Sequence, residues 1–379
     1  MTGRDTLGPA DVTDDQLARM VADLLGTDPV ETSLVGATAE EVDYDIPAIT
    51  TAGRYWVRGS VEVSGEELPF ELFVKHVQSW ARSPFFEMVP PELREMAEAS
   101  VPWRTEPLAY RSDLGDRLPE GLTMPRAVGV FDLDERSSAV WLEVAETDDV
   151  VWNHARFARA AHLLGRLAGS AAVRELATVG QFDWTIRNYV TGRLNVQVLP
   201  LLRDPAIWKH PLVAAAFDDD LRARLQVASD RVPMLVEELA AMPEATMHGD
   251  ACPNNLLCAA GSDDFVLIDY GFWNLGPIGF DLSQLLVGDV QVGRQPASEL
   301  PAIEAAIVPA YVQGLEAEGC DVPESVVRRA HALQLMIFTG LSTLPFELLD
   351  SPPTPALHED AAGRAAIARL SLDLLAATD

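Results

Sequence analysis

The stretch His248-Gly249-Asp250-Ala251-Cys252-Pro253-Asn254-Asn255 is followed by Val266-Leu267-Ile268-Asp269-Tyr270-Gly271 and then by Gly279-Phe280-Asp281-Leu282. Pro253 keeps the first segment from closing into a helix, so one short loop presents Asp250 and, five residues on, Asn255. Asn255 leads into the apolar run Leu256-Leu257-Cys258. After Gly261-Ser262-Asp263-Asp264, a second apolar run, Phe265 to Ile268, delivers Asp269 at its end. Two short strands joined by a turn of that composition form a hairpin, and the hairpin brings Asn255 and Asp269 side by side.

This set of side chains suits phosphoryl transfer, which asks a protein mainly for positioning and electrostatics. The reaction needs a carboxylate near an acceptor hydroxyl, oxygen ligands for Mg²⁺ on the nucleotide phosphates, and a lysine on those phosphates. Asp250, Asn255, Asp269 and Lys75 are the candidates. Lys75 and Lys209 are the only lysines, every other basic residue apart from histidine being arginine. A chain so biased keeps a lysine where a compact point charge is needed, and a phosphate site is such a place.

The combination His-Gly-Asp-x4-Asn, Ile-Asp and Gly-x-Asp-Leu resembles the aminoglycoside phosphotransferase and choline kinase branch of the protein-kinase-like fold. The resemblance implies an α+β fold of two lobes, a small antiparallel sheet followed by a mainly helical lobe. It implies Asp250 as catalytic base, Asn255 and Asp269 as Mg²⁺ ligands, Lys75 on the donor phosphates, and His248 and Asp281 as structural residues around the catalytic loop. The donor would be ATP or GTP. The acceptor would be a hydroxyl of a small molecule: an antibiotic, or a metabolite such as a sugar or amino alcohol. A pseudokinase that binds nucleotide without turnover is the rival from another class. Independently of the resemblance, Asp281-Leu-Ser-Gln284 has the pattern of a capping box opening an apolar helix.

The amino-terminal half fits the same expectation. Tyr55, Val57, Val61 and Val63 keep a period of two from Arg54, Ser64-Gly65 turns the chain, and Phe70 to Val77 alternates again, which predicts a hairpin with Lys75 near its end. A lysine so placed needs a carboxylate from the following helix. Pro102 to Tyr110 offers Glu106, with Thr105 as N-cap and Pro107 in the first turn, while Glu95 and Glu98 are rivals. Between a first strand around Tyr44 and the strand from Arg54, Thr51-Ala52-Gly53 stands where a phosphate-covering loop belongs, with one glycine in place of Gly-x-Gly-x-x-Gly. The lobe boundaries are expected at residues 1–143, 144–148 and 149–379. In the 144–148 hinge the resemblance makes the backbone of Glu143 and Ala145 the candidate adenine contacts.

Elsewhere helices dominate. Thr13-Asp-Asp-Gln16 is a capping box for a helix with Leu17, Met20, Val21, Leu24 and Leu25 on one face, stopped by Gly26. Phe157, Ala160, Ala161, Leu164, Leu167 and Ala168 recur at helical spacing, and Val326 to Leu341 and Ile367 to Leu375 read as further helices. Trp184 to Trp208 shows no clear period. The three cysteines cannot all pair, so free thiols are expected, and a zinc site from His248, Cys252 and Cys258 would lack a fourth close ligand.

A formal net charge of -30 excludes an electrostatic nucleic-acid binder. It permits a cationic acceptor, and it serves equally well as solubility charge. Met1 to Asp15 lacks a basic segment followed by an apolar core. The longest apolar run, near Ala332 to Leu344, is too short to span a bilayer. The expectation is a cytoplasmic enzyme with neither membrane nor nucleic-acid partners.

Overall fold

Alternating apolar residues in the first part of the chain form a twisted antiparallel sheet, and the longer helical periods after it build a second layer that carries the His248–Asn255 loop. A computed structural model describes residues 3–43, 48–181 and 185–379. The strands in chain order are β1 (Thr32–Glu41), β2 (Thr51–Val63), β3 (Glu66–Gln78), β4 (Leu122–Thr123), β5 (Ala127–Asp134) and β6 (Ser137–Glu143). They are followed by β7 (Thr147–Asp148), β8 (Glu244–Met247), β9 (Leu256–Ala259), β10 (Phe265–Leu267) and β11 (Asn274–Pro277). The five-stranded sheet runs β1-β2-β3-β6-β5. Ser64 and Gly65, both at positive φ (53° and 87°), make the tight β2–β3 turn, the geometry that suits the twist of a two-residue hairpin.

One face of this sheet is closed by the helix Asp14–Leu25. Its capping box is present as the sequence predicts, and Gly26 ends it in the left-handed region at φ 67°. Leu17, Met20 and Val21 pack there against Val57, Val61, Leu72, Val74 and Trp141. The strand expected around Tyr44 instead ends at Glu41, and Tyr44 itself lies outside the described residues. β2 begins earlier than expected: Thr51 to Gly53 already pair with Val77 and His76 of β3, across a bulge. The link between the two strands, from Glu41 to Thr51, thus lies about three residues earlier than the pattern suggested.

The helical half is organised around the helix His154–Gly169, capped by Asn153, which crosses the helix Leu300–Ala317. The crossing is close because both helices place a glycine at it. A Cβ on Gly165 would lie 2.1 Å from Tyr311 O, and one on Gly314 would lie 2.0 Å from His162 O. Trp184 lies outside the described residues, and the aperiodic stretch after it contains a π-helical segment, Val190–Val198. A second π-helical segment, Leu335–Thr339, and a 3-10 turn interrupt the helix expected through Leu341, so the regular helix stops at Gln334. Pro355–Ala377 is continuous and includes the predicted Ile367 to Leu375. Among the described residues no helix is long and apolar enough to cross a membrane.

Candidate functional site

Lys75 lies on β3, opposite Arg54 of β2 and Val140 of β6, on the central strand of the sheet. Its ammonium reaches Glu106 Oε2 at 2.6 Å and Asp269 Oδ1 at 3.0 Å. Burial disfavours its charged form, but Asp269 and Glu106 together outweigh that and raise its pKa. Glu106 is on the short helix Thr105–Arg111. The rivals go elsewhere: Glu98 accepts from Ser79 Oγ and pairs with Arg136, and Glu95 is exposed. Thr105 is the first helical residue, not the cap. Its hydroxyl accepts from Gln181 N–H while Arg104 N–H donates to Gln181 Oε1, so a residue distant in sequence takes up the bonds at the helix start that the sequence assigned to Thr105.

The catalytic-loop candidate follows β8. Gly249 has φ 86°, and a Cβ there would lie 2.3 Å from Phe272 O, so only glycine lets the loop pass the segment after Asp269. His248 is fully buried and welds the two segments together. Its Nε2 lies 3.0 Å from Ile268 O, which only accepts, so Nε2 carries the proton and Nδ1 accepts from Asp250 N–H. Burial lowers its pKa to about 4, consistent with a neutral ring.

Asn255 donates from Nδ2 to Asp250 O (2.9 Å) and Asp250 Oδ2 (3.1 Å). The hairpin forms as the sequence predicts, with Leu256 facing Leu267 and Ile268 N–H donating to Asn255 O. Asp269 then turns into the left-handed region at φ 64° and ψ 65°, a conformation that costs a non-glycine residue roughly 1–2 kcal/mol and that aims its carboxylate at Lys75. Burial works against ionising Asp269, yet Lys75 prevails and holds its carboxyl below the usual range. Asp250 is different: burial and the nearby Asp269 charge raise its pKa to about 6.

The capping box proposed for Asp281 is not what forms. The helix runs Phe280–Gln291 with Gly279 at the cap and no side-chain cap bond, because Gly279 takes the left-handed conformation itself at φ 77°. Asp281 therefore falls in the first turn of the helix and not at its cap, and its two carboxylate oxygens accept from the N–H groups of His248 (2.9 Å) and Gly249 (2.8 Å). Burial raises its pKa to about 6, opposed by these bonds.

Sequence reasoning passed over Arg54, whose charge favours the ionised forms of both Glu106 and Asp269. Its place opposite Lys75 in the hairpin was the available signal. It also passed over Tyr110 and Tyr270, which pack edge to face at 5.6 Å and whose pKa values are raised by burial and by the Glu106 charge. Thr51, Ala52 and Gly53 lie in β2 itself, near the level of Lys75. Glu143 is tied by its side chain and its N–H to Arg126, whereas Ala145 lies between β6 and β7. Among the described residues no group of three or more His, Cys, Asp or Glu side chains could hold a metal ion. Asn255 and Asp269 do fit a hard cation that takes most of its ligands from phosphate and water: both are oxygen donors, and the Asp269 side chain is 37% exposed.

The profile of the APH family, described as "Phosphotransferase enzyme family", matches residues 93–335. No curated protein matches the sequence. Among solved structures, an aminoglycoside phosphotransferase from Alicyclobacillus acidocaldarius subsp. acidocaldarius DSM 446 is 14% identical over 89% of this chain and 91% of that one, with a TM-score of 0.50. The amicoumacin kinase hAmiN, in complex with AMP-PNP, Ca²⁺ and Ami, is 12% identical over 93% and 92%, with a TM-score of 0.46. A choline/ethanolamine kinase family protein from Mesorhizobium loti is 16% identical over 84% and 88%, with a TM-score of 0.44. At these identities the likeness is one of fold.

Proposed function

Because the chain belongs to the phosphotransferase enzyme family, we propose that it moves the γ-phosphoryl group of ATP or GTP to a hydroxyl of a small molecule. The observation that carries this reading is the convergence of Lys75, Glu106 and Asp269 in one ion-paired group beside the Asp250–Asn255 loop. Asp250 accepts the proton of the acceptor hydroxyl as its oxygen bonds to the γ-phosphorus. The bond from that phosphorus to the β–γ bridging oxygen breaks, and the nucleoside diphosphate leaves with that oxygen. A pKa of about 6 keeps Asp250 ionised near neutrality, yet basic enough to take a proton that the acceptor is losing.

Lys75 holds the donor phosphates, fixed in place by Glu106. Asn255 and Asp269 would hold Mg²⁺, which when bound neutralises charge on the phosphate oxygens. The backbone of Glu143 and Ala145 receives the base, Thr51 to Gly53 cover the phosphates, and His248 and Asp281 hold the loop. The division into lobes at residues 143 and 149 belongs to the same proposal, as does work in the cytoplasm, where nucleotide is plentiful and the three free cysteines stay reduced.

The acceptor class we favour is a hydroxyl-bearing antibiotic, cationic where the net charge of -30 assists capture, with sugars and amino alcohols as the alternative. The test is a panel of both classes incubated with ATP or GTP and Mg²⁺ and read by mass spectrometry. A gain of one phosphoryl group is expected for at least one acceptor. Nucleotide binding with no gain across the panel would favour a pseudokinase.

A further inference from the structure

Gln284 stands out because the sequence assigns it to a capping box that the fold does not make. With the helix capped at Gly279, Gln284 lies beyond the third helical residue from which a capping box reaches back. Its carboxamide turns to the catalytic-loop side, and Nε2 lies 3.4 Å from Asp250 Oδ1. The other oxygen, Asp250 Oδ2, accepts from Asn255 Nδ2 at 3.1 Å. Both oxygens of Asp250 therefore face amide donors, one from within the loop and one from the helix.

The helix carrying Gln284 is already fastened to the loop backbone. Asp281, one turn earlier, accepts from His248 and Gly249 N–H, and Gly288, one turn later, packs so closely that a Cβ would lie 2.8 Å from Cys252 Cβ. These three residues recur on one helix face. A donor mounted on that face moves with the loop as one body.

We infer that Gln284 is a positioning residue that sets the rotation of the Asp250 carboxylate, so that its Oδ1 meets the acceptor hydroxyl in line with the γ-phosphoryl group. This rests on the reading of Asp250 as the base. A carboxylate held only from the Asn255 side rotates about its Cβ–Cγ bond, and rotation misdirects the lone pair that must take the proton. The 3.4 Å contact is long for a hydrogen bond, and catalytic contacts of this kind often tighten only in the reactive complex.

The experiment compares wild type with Gln284→Leu, which fills the same space and cannot donate, and Gln284→Glu, which keeps the length but presents a charge to Asp250. Both variants are expected to lower kcat roughly 10- to 100-fold, Gln284→Glu the more, with nucleotide KM and the affinity for a fluorescent nucleotide analogue unchanged. Added to Asp250→Asn, Gln284→Leu should leave the residual transfer where it was. An equal loss in both backgrounds, or a kcat within twofold of wild type, overturns the proposal.

A second readout separates this from the functional reading, since it needs no turnover. The Gln284 carboxamide proton resonance, identified by its disappearance in Gln284→Leu, should move in Asp250→Asn with nucleotide and Mg²⁺ bound. If it moves although no acceptor is phosphorylated, the contact stands and the functional reading falls. If it stays, the contact is refuted whatever the activity.

Discussion

Lys75 Nζ sits 2.6 Å from Glu106 Oε2, with the two side chains 7% and 5% exposed. A buried pair of this kind contributes little to net stability but is expensive to break, because the survivor is left as a charge without water. Here the survivor has an escape. Burial already raises Glu106 to a pKa of about 7, against the pull of Lys75, so removing Lys75 lets Glu106 take a proton.

Lys75→Met should therefore fold, with a loss of stability near the low end of the roughly 3–5 kcal/mol seen when buried pairs are broken. Nucleotide affinity, measured by calorimetry, should fall sharply. Lys75→Arg should not restore it, because a planar fork cannot occupy a site shaped for a compact ammonium between two carboxylates. Near-normal nucleotide affinity in Lys75→Arg would count against the role given to Lys75.

Asp250 and Asp269 should separate in kinetics although they are neighbours. Asp250→Asn keeps size and hydrogen bonds but loses basicity, so kcat should drop about 10²- to 10⁴-fold with nucleotide affinity nearly intact. Asp269→Ala removes the carboxylate facing both Lys75 and the metal position, and it should raise the Mg²⁺ concentration required for activity. An unchanged Mg²⁺ dependence would remove Asp269 from the metal site.

Helix packing far from the chemistry should also register in it. Gly165→Ala places a methyl group 2.1 Å from Tyr311 O, a backbone atom that cannot swing aside, and overpacking of this sort costs about 1–3 kcal/mol. The Tyr311 hydroxyl accepts from Gly279 N–H at 3.1 Å, at the cap of the helix that carries Asp281 and Gln284. The variant is expected to show both a lower Tm and a lower kcat. A lowered Tm with unchanged kcat would mean that the crossing does not transmit to the loop.

What could be read from the sequence was what local chemistry dictates. The β9–β10 hairpin follows from two apolar runs and a Gly-Ser-Asp-Asp turn, and its register sets Ile268 against Asn255, with Asp269 one residue on. The strand position of Lys75 followed from alternation, whereas Glu106 was preferred to Glu95 and Glu98 on the family resemblance. The misreadings lie where a tertiary partner replaced a local one. Thr105 looked like a cap, but Gln181, far along the chain, supplies the bonds. Asp281 looked like a cap, but Gly279 ends the preceding turn and frees the carboxylate for His248 and Gly249. The segments Val190–Val198 and Leu335–Thr339 had no clear signature, because a π-helical turn breaks the 3.6-residue period on which the reading depends.

The pH dependence of stability offers a test of burial at a residue outside the site. His331 is 1% exposed, its Nδ1 lies 3.4 Å from Ser283 Oγ, and its Nε2 has no hydrogen-bond partner. Burial, helped by Arg328, lowers its pKa from 6.5 to about 4. Between those values the unfolded chain binds a proton at this position and the folded chain does not, so its contribution destabilises the fold as pH falls through the window and levels off below it. The size is on the order of 3 kcal/mol at most. Asp250 and Asp281, both raised from 3.8 to about 6, act in the opposite sense, since the folded state takes up their protons first and gains stability as pH falls from 6 toward 4. Wild-type stability alone therefore hides the histidine. The difference between wild type and His331→Gln exposes it: the advantage of wild type should shrink steadily in denaturant titrations from pH 7 to pH 4. An advantage that stays constant across that range would mean that His331 is protonated or solvated in the folded protein, contrary to its burial.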